Sequence, residues 1–292
     1  MSGADFARGR AAAAGGFEIR DMVPADAEVA IALAKAQGWR DRRRFYDFVF
    51  RVSTCQPLVG VAEGRVVGTG LATVSGSVGW LGAIAVEAGF RRRGIGRAIT
   101  DELCRRLRAA GCTTLSLEAT DEGRPMYERM GFRLAGEYHQ LQAGHLPEEP
   151  VPPAGARVRK LEPADLPAIV ELDRVATAED RSAALAVIAE DGGWVLERDG
   201  TICGFLIPAE RAYGPVIAPR FEDGLFLLDL HRYVIPVGAD VRAGIPQPHA
   251  AAWQELLARG WEETWQAPRL LLGPDVPWRP EWIWGQMNSA MG

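Results

Sequence analysis

Apolar residues in this chain recur at two periods, and the change from one to the other lays out the elements. Ile99, Leu103, Leu107 and Ala110 fall at the spacing of one helix face, and Gly111 supplies a stop. Short apolar runs read as strands: Leu58 to Ala62, Val66 to Leu71, Gly79 to Val86 and Thr114 to Ala119. The first two form a hairpin with glycine at its tip. A strand at Phe17 to Arg20 runs through Pro24-Ala25-Asp26 into a helix, with Asp favourable in the first turn. A polar helical stretch follows at Arg40 to Val52. Arg124 to Met130 reads as a short helix, with Pro125 in its first turn and Gly131 at its end.

The same order of elements returns in the second half. Ile19-Arg20 before Pro24-Ala25-Asp26 matches Val158-Arg159 before Pro163-Ala164-Asp165. The hairpin segment Val61 to Gly68 matches Glu197 to Gly204, and Gly131-Phe132 matches Gly260-Trp261. Three matches in one order point to a duplicated fold whose second copy has lost residues. Further strands are expected at Ala156 to Lys160, Trp194 to Arg198 and Ile202 to Pro208, and helices at Arg181 to Glu190 and Gly224 to Leu230. The Pro-rich stretch Glu148 to Pro153 separates the copies, since proline cannot continue a helix or a central strand. This predicts a lead-in at residues 1–16, read as disordered, and two units at 17–147 and 154–292. Each is α/β (α+β), with the strand order left open.

Composition narrows the classes. With 292 residues and 48% hydrophobic content the chain can bury a sizeable core. Its net charge of −5 argues against a nucleic-acid or anionic-membrane partner. The longest uncharged apolar stretch, Val78 to Val86, is about half of what a bilayer span needs. The Ala/Gly-rich start carries no apolar signal-peptide core. Cys55, Cys104, Cys112 and Cys203 lack metal or redox spacing and read as buried thiols, and the four histidines do not cluster. No metal is expected, and a reducing cytoplasm fits.

The chemistry concentrates at Ile84 to Ala98. An apolar strand runs into Arg91-Arg92-Arg93-Gly94-Ile95-Gly96 at the mouth of a helix. Glycines let the backbone approach an anion, unpaired helix amides point at it, and arginines add charge-assisted contacts to phosphate. A solvated basic turn is the plain alternative. A phosphate-binding Walker loop is excluded because no Gly-Lys-Ser/Thr follows, and a Rossmann reading lacks its third glycine.

Arg91-x-x-Gly94-x-Gly96 after a hydrophobic strand resembles the pyrophosphate-binding signature of the GNAT superfamily of acyl-coenzyme A-dependent acyltransferases. Tyr127-Glu128-Arg129-Met130-Gly131-Phe132 resembles that superfamily's Tyr-x-x-x-Gly-Phe landmark. The resemblance covers about residues 17 to 142. Gly38-Trp39, Gly79-Trp80-Leu81-Gly82 and Leu117 to Tyr127 are similar to a bacterial tandem group whose second copy is divergent. It implies two tandem GNAT folds, each a mixed, mostly antiparallel sheet flanked by helices. It also implies that the backbone of Ile84, Ala85 and Val86 pairs with the pantetheine arm of acetyl-CoA. The amides from Arg92 through Arg93, Gly94, Ile95 and Gly96 to Arg97 would cradle the pyrophosphate beside Arg91, and Thr120 and Gly123 would adjoin the cofactor. Tyr127 would sit beside the sulfur as general acid. Two features depart from the pattern. Thr120 stands where many members carry Asn, and no carboxylate lies on the strand before the loop. Glu118, at the end of the next strand, is the nearest carboxylate in sequence to serve as base.

The second half has no such loop, and its expected role is to support the fold and shape the acceptor site. Arg42-Arg43-Arg44 beside Phe45 and Phe48 reads as a solvated helix face, with contact to an acidic acceptor or to the cofactor's 3′-phosphate as the other reading. Trp278, Trp282 and Trp284 read as aromatic packing of a last strand. The leading function is transfer of acetyl from acetyl-CoA to a primary amine of a small molecule, by a monomer or homodimer. A non-catalytic acyl-CoA-sensing module is the alternative, which Tyr127 disfavours.

Overall fold

The computed structural model describes residues 11–13, 16–39, 42–209 and 213–292. Most of the expected lead-in (1–10, 14 and 15) and two residues at the start of the expected polar helix (40 and 41) lie outside the described residues. In the first half the elements are β1 (Ala11–Ala13), β2 (Phe17–Asp21), α1 (Ala27–Ala36), α2 (Arg43–Arg51), β3 (Cys55–Ala62), β4 (Arg65–Ser75), β5 (Val78–Val86), α3 (Ile95–Ala109), β6 (Thr114–Glu118), α4 (Arg124–Arg129) and β7 (Arg133–Gly144). Within the expected lead-in, β1 pairs antiparallel with β2.

The second half repeats the series as β8 (Arg157–Lys160), α5 (Leu166–Thr177), α6 (Ser182–Ala189), β9 (Trp194–Arg198), β10 (Thr201–Leu206), β11 (Val216–Ile217), α7 (Phe221–Val234), β12 (Asp240–Pro246), α8 (Ala250–Ala258) and β13 (Glu262–Leu272). A short extra strand, β14 (Ile283–Gly285), follows. Helix α7 begins three residues before the expected Gly224, because Glu222 and Asp223 suit a first helical turn.

The sequence matches fold into matching devices. Arg20 grips Asp26 with two hydrogen bonds of 2.7 and 2.9 Å, and Asp26 also accepts the Val23 amide. Arg159 grips Asp165 at 2.6 and 2.8 Å, and Asp165 accepts the Glu162 amide. Both hairpin tips, Glu63-Gly64 and Asp199-Gly200, place two consecutive residues at positive φ, the turn that matches strand twist. Ile95, Ile99, Leu103 and Leu107 of α3 are almost fully buried against the sheet. A Cβ at Gly70 would lie 2.4 Å from Ile99, so the bare backbone of β4 makes the trough that seats this helix.

The sheet does not stop at the boundary between the copies. Nine strands run in the order β1-β2-β3-β4-β5-β6-β13-β7-β12, and five more in the order β14-β11-β10-β9-β8. Strand β13, from the second half, pairs antiparallel with both β6 and β7, while β7, from the first half, pairs antiparallel with β13 and β12. β7 and β13 occupy the same place in their respective series, so each copy has given its last strand to the other. Leu270 and Leu271 are buried at this seam, Leu270 in the core of the first half. Trp80 of β5 donates to both carboxylate oxygens of Glu179 at 2.9 Å, a further buried tie between the halves.

Candidate active site

Strands β5 and β6 are parallel and paired only from Val78 to Trp80 and Thr114 to Ser116. Beyond that they splay, so on the side away from β4 no strand pairs with Ile84 to Val86. The register with β4 slips between Thr69 and Leu71, where Ala83 has φ of 51° and its carbonyl accepts the Thr69 hydroxyl at 2.9 Å. This bulge turns the edge of β5 toward the opening.

The edge runs into the expected anion nest. Gly94 has φ of 85° and caps α3, a conformation that glycine adopts without strain. The first helical bond runs from the Ala98 amide to the Gly94 carbonyl, which leaves the amides of Ile95, Gly96 and Arg97 without helical acceptors. A Cβ on Gly96 would meet only a Val86 methyl, at 3.5 Å. The fold therefore tolerates a side chain there, and the bare backbone leaves the cradle open to an anion. This is the fit that a pyrophosphate needs. Arg91 is committed to protein partners around the loop, donating to the Val86 carbonyl, Glu122 and Gln37. Arg93 stacks on Phe90, and Arg97 pairs with Asp101.

Beyond the splay lies a cleft of about 410 Å³. It brings together Ile84, Glu118, Thr120 and Tyr127 of the expected set, and adds Tyr213, Arg242 and Trp265 from the second half and Asn288 to Ala290 from the last segment. Ala85, Val86 and the glycine loop do not line it. A larger cavity of about 660 Å³ lies between α2 and α6 and shares Asn288 with the cleft. Neither Glu118 nor Tyr127 reaches that cavity, so the smaller cleft is the one next to the splayed strands.

Glu118 ends β6 and is half-buried, and enclosure by protein pushes its carboxyl up to about 7. Hydrogen bonds from Gln286 and Ser289 and the charge of Arg269 pull in the other direction. The Gln286 amide donates to Glu118 at 2.6 Å, and Gln140 donates to Gln286 at 2.7 Å. Gln286 gets there by lying over Gly244 of β12, where a Cβ would sit 1.9 Å from its side-chain oxygen. Tyr127, on α4, stands edge-on to Phe132 at 6.0 Å between centroids. Burial, with the Cys104 thiol adding, pushes its phenol up to about 12, so it stays protonated at any working pH. Its approach is allowed by Gly123, where a Cβ would lie 3.1 Å from the Tyr127 ring.

Sequence reasoning did not reach Gln286, Ser289, Tyr213, Arg242 or Trp265. The segment that supplies the first two crosses from the second half to the first. Trp284 of β14 packs on Gly224, and Ala290 then packs on Gly82, where a Cβ would be 2.3 Å from the alanine methyl. The Arg181 guanidinium, itself paired with buried Asp173, donates to the Gly292 oxygen at 2.7 Å. A bare Gly82 next to the site was the one local signal. The equivalent place in the second half is taken: β14 pairs with β11, and Gln286 lies over β12.

Among the described residues, no group of three or more His, Cys, Asp or Glu is arranged to hold a metal ion. No described helix is long and apolar enough to cross a membrane.

A splayed parallel strand pair leading into a glycine nest at a helix N-terminus, in a chain that builds the same series twice, is the architecture of a tandem GNAT protein. Residues 25–132 match the family model "Acetyltransferase (GNAT) family". The chain is similar to the uncharacterized N-acetyltransferase YitH of Bacillus subtilis, at 24% identity over 73% of this chain and 76% of that protein. It is also similar to glucosamine 6-phosphate N-acetyltransferase of Trypanosoma brucei brucei, at 30% identity over 32% of this chain and 65% of that protein. In fold it is similar to a tandem GNAT protein from the clavulanic acid biosynthesis pathway, with a TM-score of 0.64 and 19% identity over 89% of this chain and 99% of that one.

Proposed function

We propose that the chain is an N-acetyltransferase of the cytoplasm that moves acetyl from acetyl-CoA to a primary amine of a small molecule, in a ternary complex. One observation carries this reading. Glu118 and Tyr127 line a single cleft at the end of a splayed strand edge that leads back to an open glycine cradle. On this reading the unpaired edge at Ile84 to Val86 takes the pantetheine arm, and the amides of residues 92–97 take the pyrophosphate. The thioester carbonyl then comes to rest in the cleft.

Glu118 accepts a proton from the ammonium, so that the free amine can attack the thioester carbonyl. Tyr127 donates to the sulfur as the C–S bond breaks and coenzyme A leaves as the thiol. A base works best with its pKa near the operating pH, and a value of about 7 meets that condition. The ionised, base form predominates above that value. kcat/KM is therefore expected to climb about tenfold per pH unit below pH 7 and to lose that slope above it, apart from the amine's own titration. Glu118→Gln should erase this limb. Wild-type kcat/KM across pH 6 to 9 in that variant would hand the proton to an ordered water instead.

The cofactor half of the reading has its own test. Gly96→Val should weaken acetyl-CoA binding by more than about tenfold, since its side chain occupies the cradle, with little change in melting temperature. Calorimetry on the wild type should titrate to one acetyl-CoA per chain, because β14 occupies the matching place in the second half. Two equivalents would overturn that.

A further inference from the structure

Two arginines line the cleft without a carboxylate partner among the described residues. Arg42, at the start of α2, and Arg242, on β12, come from different halves of the chain and meet at this one cleft. The Arg42 guanidinium lies over ring faces, 5.6 Å from the Trp39 centroid and 5.0 Å from that of Phe45, and its charge also acts on the Tyr46 phenol. Arg242 lies 5.8 Å from the Tyr213 ring, and its buried Nε–H has no hydrogen-bond partner among the described residues. Elsewhere in this acidic chain guanidinium groups find carboxylates readily, as at Arg20, Arg91, Arg159 and Arg198.

A buried donor left unsatisfied costs free energy, and native structures rarely carry one without a reason. Stacking on aromatic faces holds a guanidinium plane in place while its N–H fork stays available for a planar or tetrahedral oxyanion. Among the described residues, the only carboxylate lining the cleft is Glu118, which is already engaged by Gln286. The cleft thus offers a base for an ammonium and two forks for an anion.

Resting on the acetyltransferase reading above, we infer that the acceptor is a small amine that also carries a carboxylate or a phosphate, held by Arg42 and Arg242. The two residues bind and orient it, and neither takes part in the chemical step. The aromatic walls, Trp39, Tyr213 and Trp265, suit an acceptor whose middle portion is apolar or ring-shaped.

The test uses the full chain with saturating acetyl-CoA and follows thiol release. Two matched pairs serve as acceptors: tyrosine against tyrosinamide, and O-phosphoethanolamine against ethanolamine. The anionic member of at least one pair should be preferred by roughly tenfold or more in kcat/KM, mostly through KM, and the pair that shows it distinguishes carboxylate from phosphate. Arg42→Met and Arg242→Met should each shrink that ratio towards one. Arg242→Lys keeps the charge but not the fork, and should retain only part of it, which guards against a folding defect in the Met variant. A preference for the neutral members, no turnover of either anionic member, or a ratio unmoved by both Met variants would overturn the inference. Calorimetry separates this failure from the broader one. A chain that does not bind acetyl-CoA sinks the transferase reading, whereas one that binds it and acetylates only neutral amines sinks this inference alone.

Discussion

Tyr127→Phe is expected to lower kcat by roughly 10²- to 10⁴-fold, the usual worth of a positioned proton donor. Acetyl-CoA affinity and melting temperature should change little. The phenol makes no hydrogen bond to the described residues, so its removal leaves no partner stranded, and the ring that packs against Phe132 is retained. A pKa near 12 sharpens the expectation. A phenol this weakly acidic stays protonated through the working range, so its proton is always in place for the departing sulfur. The defect should therefore persist across pH 6 to 9 and not appear as a shifted pH limb. Steady-state kinetics with calorimetry on the same variant would check this. Lost stability with unchanged turnover would make Tyr127 a packing residue.

The second large effect concerns the seam. Residues 1–147 alone lack β13, so β6 and β7 would each keep an unpaired edge where that strand belongs, and the core would lose Leu270. Exposed edges of this kind favour aggregation. The isolated fragment is expected to give no cooperative unfolding transition and no turnover, while fragments 1–147 and 154–292 produced together should associate and recover acetyl-CoA binding. Cooperative melting and full-rate acetylation by the first fragment alone would show that the exchanged strand is dispensable.

What was legible in the sequence is what local chemistry dictates. The Pro-Ala-Asp turns, the two glycine-tipped hairpins and the helix-opening glycine nest each depend on residues a few positions apart. Such features leave their residue types in a short window. The landmark around Tyr127 is similarly local. The strand exchange was not legible, because β7 and β13 each run from an exposed start into a buried stretch, and nothing in that pattern names the partner. Gln286 reaches Glu118 across 168 positions of sequence, and Arg242 lines the cleft from a strand whose own neighbours give no hint of it. Contacts of that range are decided by packing. The glutamate itself was found from sequence, but its environment came from the far end of the chain.

The position of β13 also sets a timetable. During synthesis the first copy emerges with β7 complete, yet the gap beside β6 stays open until about 130 further residues have been made. At the ~5–20 residues per second of translation, that is a wait of several seconds to nearly half a minute. Through that interval the nascent chain must hold the gap between β6 and β7 without its own strand, and neither copy can be discarded in evolution without reopening it in the other. A second copy without the Arg-x-x-Gly-x-Gly stretch of the first is thus kept by its strand.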